Sequence, residues 1–430
     1  MKSLRICLVS KEYPPEGTGG IAKYNRLLAH GLVEAGHDVS VIAGPGDSNE
    51  SGRPIGPSNQ DREGEVTPAN SLLSSEVKLS RVANRELWLP APVRRKGRGI
   101  WNALERSLAV DREIARLERT QGPFDVVEMP NWGAEGLCYC LHPRAPLVIR
   151  LSTPLAQVSR LKGERSARLG LRLACFLEAI PARRCACIIA HSEFIAKHCI
   201  ELYRISHPNL HVIPLGIPGP SSPLPKGMTE DRAVTILYVG RLEKRKGIDR
   251  LLQAIPKVIG SAPQCKFVIA GADIGEAPQG KTYREYFESF ATPAARKTTT
   301  FLGHVEERVL SQLYANCDIF VAPSLSESFG LIFLEAMAQA KPVVAFRTGG
   351  VLEVVAHNET GILVELDDID ELANALIRLT EDGETRQRMG KCGCERVRTR
   401  FTAKRMVEET VACYRQVIAE IGKGRMSAAA

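Results

Sequence analysis

The first 43 residues constrain this chain most. Leu4 to Val9 is an apolar run broken by one charge, Arg5. Runs of this kind fit a strand buried on both faces of a parallel sheet. A Gly- and Pro-rich loop follows (Lys11 to Gly20), then helical apolar spacing from Ile21 to Ala35, a stop at Gly36, and a second apolar run from Asp38 to Ala43. Two parallel strands joined through a helix require helices packed over the sheet, so the segment predicts a doubly wound α/β domain.

The pattern continues and then restarts. Residues 97–120 have helical spacing, and Asp125 to Glu128, Leu147 to Leu151, Cys187 to Ala190 and His211 to Pro214 read as further strands. Residues 44–80, rich in Gly, Ser, Asn, Pro and acids, read as a long mobile excursion. Residues 214–230 carry five prolines, the composition of a linker. From Val234 a second strand–loop–helix series begins. Its strands are Thr235 to Val239, Lys266 to Ala270, Thr299 to Leu302, Asp318 to Ala322, Pro342 to Ala345 and Ile362 to Val364. Two helices close the chain, roughly 384–400 and 402–421. The expected architecture is two doubly wound Rossmann-like domains, 1–217 and 218–401, facing across a cleft, with ligands at the carboxyl ends of the strands.

Composition narrows the class. With 44% hydrophobic and 25% charged residues, each half can bury its own core. No apolar run approaches the roughly 20 residues of a spanning helix. The N-terminus lacks the layout of a signal peptide, so a cytoplasmic location is expected. The 12 cysteines then read as reduced thiols. Three C-x-C pairs (Cys138/Cys140, Cys185/Cys187, Cys392/Cys394) lack the spacing of structural zinc sites, so no metal is expected. The net charge of +8 is uneven: residues 1–217 carry +7, and within them residues 144–184 hold nine Lys and Arg against two acids. That concentration points to an anionic surface or substrate. No aromatic residues interleave with the basic stretches, which argues against nucleic acid as a partner.

Four loops carry candidate chemistry. Ser326 to Glu335 follows a strand and enters a helix. Glu327 in the loop can accept hydrogen bonds from sugar hydroxyls, and the loop amides and helix N-terminus favour an anion. Gly240 to Gly247 also joins a strand to a helix, and Arg241 and Lys246 there suit a diphosphate. Gly17 to Gly20 lets backbone amides approach a phosphate, although it is not the G-x-G-x-x-G fingerprint. Arg347 to Gly350, with Glu353, forms a further strand-to-helix loop on the same edge. Asp367, Asp368 and Asp370 are better explained as helix capping than as a metal site.

The pattern Glu327-x7-Glu335, with Gly-Arg-Leu…Lys-Gly before it, resembles the retaining glycosyltransferases of family GT4 (group 1). Further matches run nearly end to end: Tyr13 to Ile21, Ala35 to Ile42, Val212 to Gly216, Ala322 to Ser324, Glu335 to Ala338 and Thr348 to Glu353. The resemblance implies a GT-B fold and a hexosyltransferase. A nucleotide diphosphate sugar is then a co-substrate held mainly by the C-terminal domain, and no metal or other cofactor is needed. It implies that Arg241 and Lys246 neutralise the diphosphate. Glu327 then holds the transferred sugar, with amides of Ser328, Phe329, Gly330 and Leu331 helping, and Glu335 binds the ribose. Gly19 and Gly20 meet the phosphates on domain closure, and the last helix, about 402–421, crosses back to the acceptor-side domain 1–217.

Two departures stand out. Ser152 occupies the acceptor-side position where many relatives carry His, and Pro214-Leu215-Gly216-Ile217-Pro218 replaces the family's Pro-Asn-Gly-x-Asp. A glycan, a lipid-linked molecule and a small molecule all stay open as acceptor. Peripheral contact with an anionic membrane through the 144–184 segment is a further expectation. Two alternatives also stay open: another GT-B reaction, such as that of a nucleotide-sugar epimerase or a phosphorylase, and a non-catalytic nucleotide-sugar-binding protein.

Overall fold

The computed structural model describes residues 2–14, 19–44, 77–83, 98–161, 169–219 and 233–429. The chain divides into two units, Met1–Pro214 with Ala403–Ala430, and Leu215–Thr402.

In the first unit the order is β1 (Arg5–Ser10), α1 (Gly20–Glu34), β2 (Asp38–Ala43), β3 (Lys78–Arg81), α2 (Arg98–Gln121), β4 (Val126–Pro130), β5 (Leu147–Leu151), α3 (Leu155–Leu161), α4 (Leu169–Arg184), β6 (Cys187–Ala190), α5 (Glu193–Tyr203) and β7 (Leu210–Val212). All seven strands pair in parallel in the order β3-β2-β1-β4-β5-β6-β7. One sheet face carries Val9, Val127, Ile149 and Ile188 into an apolar core with Val110 and Ile114 of α2.

The second unit runs β8 (Val234–Val239), α6 (Ile248–Ser261), β9 (Cys265–Ala270), α7 (Tyr283–Phe290), α8 (Pro293–Thr298), β10 (Thr299–Gly303), α9 (Glu307–Asn316), β11 (Ile319–Val321), α10 (Leu331–Ala338), β12 (Val343–Phe346), α11 (Val351–Val354), β13 (Gly361–Val364), α12 (Ile369–Glu381) and α13 (Gly383–Arg400). Its six parallel strands take the order β10-β9-β8-β11-β12-β13. Every residue of β8 is buried, as a central strand covered on both faces requires. Asp318, just before β11, accepts the Thr235 N–H at 2.7 Å and so sets the start of the β8–β11 pairing.

The chain then re-enters the first unit as α14 (Ala403–Ala429). This helix packs on α1, where a Cβ at Gly31 would collide with Val407. Thr410, Tyr414 and Val417 are buried.

One expectation needs correcting. The excursion read over residues 44–80 contains the start of strand β3, which pairs with β2 from Ser40↔Lys78 to Ala43↔Arg81. Lys-Leu-Ser-Arg shows no apolar run because β3 is an edge strand, exposed or half-buried along its length. Residues 45–76 lie outside the described part, as do 220–232 of the proline-rich linker.

Candidate active site

In a doubly wound sheet the loops at the carboxyl ends of two strands diverge where the strand order reverses. In the second unit that point falls between β8 and β11. The loops after these two strands are 240–247 and 322–330, the two with the strongest sequence signals. Topology therefore brings together what the sequence separates.

The loop after β8 leaves through Gly240, makes a single 3₁₀ turn (Lys244–Lys246), and enters α6 through Gly247. Gly247 has φ +66°, and a Cβ there would strike the Pro323 carbonyl of the neighbouring loop. Only glycine satisfies both demands. The Leu325 N–H donates to the Arg245 carbonyl at 2.9 Å, tying the two loops backbone to backbone. Within this frame the Lys246 ammonium donates to Glu327 Oε2 at 2.6 Å.

Burial pushes the Glu327 carboxyl up, but Lys246, with Arg245 behind it, outweighs burial and leaves it below the ordinary carboxylate value. Glu327 is therefore an anion at neutral pH. Glu243, also buried, accepts from Arg245 at 2.6 Å and lies 3.6 Å from Arg241. The Arg241 side chain is 63% exposed.

Ser328, Phe329, Gly330 and Leu331 lead into α10. Gly330, at φ +97°, is its N-cap, and no side chain caps the first turn. The ends of that turn's amides are satisfied by no acid of the helix itself, an arrangement suited to an anion. Phe329 is buried edge-on against Phe401, 5.9 Å between centroids. The loop after β12 braces the site: the Gly350 N–H donates to the Glu327 carbonyl at 2.9 Å, and the Thr348 hydroxyl to the Leu325 carbonyl at 3.2 Å. Glu335 lies half-buried on α10 beside Tyr314 of α9; burial and that carboxylate together raise the Tyr314 phenol. Of the acidic cluster, Asp368 caps α12 by accepting the Glu371 N–H at 2.8 Å, Asp370 pairs with Lys257 at 2.8 Å, and Asp367 pairs with Arg250.

In the first unit Gly19 is the N-cap of α1 and Gly20 its first residue, again with no side-chain cap and no acid in the first turn. Gly17 and Thr18 lie outside the described residues. Ser152 follows β5 and is buried. Its hydroxyl donates to Asn131 Oδ1 at 3.0 Å, Asn131 Nδ2 donates to the Tyr203 hydroxyl at 2.8 Å, and that hydroxyl donates to Glu178 Oε2 at 2.9 Å. Burial pushes the Glu178 carboxyl up to about 7.

No local sequence pattern marks this hydrogen-bonded chain, nor a second buried network. There Glu128 accepts from Arg150 (2.8 and 3.0 Å), Tyr24 (2.7 Å) and Tyr414 (2.7 Å). His191 lies edge-on to Tyr24, and burial, with Arg150 nearby, drops its imidazole to about 3. Three of the nine cations of residues 144–184 are engaged internally. Arg150 is held by Glu128, Arg144 by Asp111 and Glu118, and Arg183 by the Tyr203 carbonyl at 2.9 Å.

Two family models divide the chain between them. "Glycosyltransferase Family 4" matches residues 18–218, and "Glycosyl transferases group 1" matches residues 225–396. A D-inositol 3-phosphate glycosyltransferase of Kribbella flavida is 30% identical over 326 residues, covering 71% of this chain and 74% of that protein. This chain belongs to the group 1, family 4 glycosyltransferases. A glycogen synthase of Mycobacterium tuberculosis, another relative, is 26% identical over 96% of this chain and 94% of its own length. Among solved structures, sucrose-phosphate synthase from Thermosynechococcus elongatus superposes with TM-score 0.74 at 22% identity, over 97% of this chain and 100% of that one. HepE from Anabaena, solved with UDP and glucose, superposes with TM-score 0.67 at 20% identity, over 95% of this chain and 98% of that one. The fold is thus GT-B, and the chain is a glycosyltransferase.

Proposed function

We propose that this glycosyltransferase transfers a hexose with retention of configuration from a nucleoside diphosphate sugar. The observation that carries the reading is the Lys246–Glu327 pair at the switch point of the second unit. A carboxylate kept ionised there can grip sugar hydroxyls. Its lysine partner and the exposed Arg241 supply positive charge for a diphosphate. In the transfer, the bond from the anomeric carbon to the diphosphate breaks and negative charge grows on the leaving oxygen. Arg241, Lys246 and the amides at the start of α10 around Phe329 to Leu331 stabilise that charge. The acceptor hydroxyl attacks from the same face and gives up its proton to the departing phosphate oxygen, so no protein nucleophile is needed.

Glu335 is assigned to the ribose, and Gly19 and Gly20 to amide contacts with the phosphates. Support for the donor class comes from HepE, whose structures hold UDP, glucose and UDP-glucose. For the acceptor, the reading allows a glycan, a lipid-linked molecule or a small molecule, with Ser152 on that side.

Among the described residues no helix is long and apolar enough to cross a membrane. Contact with an anionic membrane surface is proposed through α4, where Leu173 and Phe176 are 41% and 51% exposed. The test is a thermal-shift screen of nucleotide sugars, followed by NMR of the anomeric proton in the product. A product with the donor's anomeric configuration supports the reading, and inversion refutes it.

A further inference from the structure

The re-entry of α14 brings a thiol to the far edge of the first sheet. Cys413 Sγ lies 3.2 Å from Cys187 Sγ, 226 residues away in sequence. Both cysteines are buried. His211 is the third member: the candidate ligand atoms of Cys187, His211 and Cys413 all lie within 4.8 Å of one another. Among the described residues no other trio of His, Cys, Asp or Glu meets that criterion.

The sheet register explains the meeting. Ile189 pairs with Arg150 on one side and His211 on the other. Cys187 is two residues before Ile189 and so shares its face. That is the face on which Thr410 and Tyr414 of α14 meet Arg150 and Glu128. His211 Nε2 is buried and has no hydrogen-bond partner. A buried imidazole nitrogen left unpaired is costly unless a ligand satisfies it.

We propose that Cys187, His211 and Cys413 bind one Zn²⁺ ion, which clamps α14 to the β6–β7 edge. Two thiolates and an imidazole are a zinc donor set, with water left for the fourth position. Tetrahedral coordination at ordinary Zn–S distances separates two sulfurs by roughly 3.8 Å, so the thiols need to part by only about half an ångström. On binding, each thiol gives its proton to solvent. The spacing rules for zinc motifs miss the site because its members come from two strands and a helix re-entering from the far end of the chain.

The test uses the full chain, reduced and stripped with a chelator, then titrated with Co²⁺ alone and back-titrated with Zn²⁺. The expected result is a thiolate-to-cobalt charge-transfer band that saturates at one equivalent and is displaced by Zn²⁺. It should disappear in Cys187→Ser and in Cys413→Ser, and Zn²⁺ should raise the melting temperature of the unsubstituted chain only. Should either serine variant fail to fold, His211→Gln keeps both thiols and should weaken Co²⁺ binding by more than about a hundredfold, the most that loss of an outer-sphere partner typically causes. Absence of the band overturns the proposal. So does a band unchanged in both serine variants, which places the metal on other cysteines. A Cys187–Cys413 disulfide in peptide maps of the unreduced protein also overturns it.

Discussion

Lys246 and Glu327, 81 residues apart in sequence, form a direct ion pair, the ammonium donating to the carboxylate at 2.6 Å. Both side chains are largely buried, at 18% and 10% exposure. Removing one partner from such a pair strands the other charge, at a cost of roughly 3 kcal/mol. Lys246→Met should therefore destabilise the second unit at neutral pH.

The sign of its pH dependence follows from Glu327. The pair depresses the folded-state pKa of Glu327, so its contribution is full above the ordinary carboxylate range and is lost as pH falls through the folded value. Without the lysine, burial is opposed only by Arg245 and the Ser328 N–H, and that pKa moves up. The deficit of Lys246→Met should thus be largest at neutral pH and close towards acid pH. Lys246→Met/Glu327→Gln should recover most of it at pH 7. Chemical denaturation of the three proteins across pH checks this, and a deficit independent of pH would count against the pair.

Arg241 emerges from a buried strand into a largely exposed side chain beside Glu243. If it holds the donor diphosphate, Arg241→Ala should lose a charge-assisted contact worth about 1.5–3 kcal/mol, or tenfold or more in affinity for a nucleoside diphosphate. Isothermal titration decides, and an unchanged affinity rejects the assignment.

Glu327 and Glu335 should separate by function. Glu327 shares its loop with the proposed sugar site, whereas Glu335 is assigned to the ribose from α10. Glu335→Ala should weaken binding of the free nucleoside diphosphate. Glu327→Ala should leave that affinity largely intact and depress turnover. The opposite pattern in paired titrations and rate measurements would reverse the two roles.

What was legible follows from where information sits in a doubly wound fold. Strands buried on both faces write themselves as apolar runs, and β8 is such a run from end to end. The loops after β8 and β11 announce themselves through Gly240, Gly247 and Gly330, whose positive φ angles demand that residue type. Contacts that depend on register are not written locally. Arg150 and Glu128 each look like a stray charge inside a strand, and only the β4–β5 register, with Tyr414 arriving on α14, makes them a satisfied buried pair. Ser152 reads as a substituted catalytic position, yet the fold ties its hydroxyl to Asn131. Strand β3 offers one leucine in four residues, too little for any periodicity.

Glu178 makes the first unit sensitive to alkali. Its carboxyl, pushed by burial to about 7, sits above the ordinary value near 4.5. A raised folded-state pKa means that the contribution is full below about 4.5 and is lost as pH rises through about 7. Between those values the unfolded chain ionises freely while the folded one resists. Glu178→Gln keeps an oxygen to accept from Leu155 N–H and the Tyr203 hydroxyl but cannot ionise. Its stability should gain on the unsubstituted chain from pH 5 to pH 8, by on the order of 3 kcal/mol at the upper end. Denaturant midpoints at four pH values test this, and parallel curves would show that Glu178 ionises normally.

The last expectation concerns α4. Leu173 and Phe176 stand exposed on this helix, and the Arg183 guanidinium lies 5.9 Å from the Phe176 ring centre. Arg172 is exposed on the same helix, whereas Arg165 and Arg168 fall outside the described residues. Exposed apolar side chains beside cations suit a helix resting in a lipid interface. Arg144, Arg150 and Arg183 are already engaged within the protein, and among the described residues of 144–184 Arg172 and Arg184 are the exposed cations left to meet lipid. At about 1 kcal/mol for each basic residue near an anionic surface, binding should be weak, reversible and reduced by salt. Co-sedimentation with phosphatidylserine vesicles at low salt should exceed that with phosphatidylcholine vesicles and fall at high salt. Leu173→Ser/Phe176→Ser should abolish the difference without altering the melting temperature, since neither side chain is buried. Equal, negligible sedimentation with both vesicle types would leave α4 as an ordinary solvated helix and point to an acceptor met in solution.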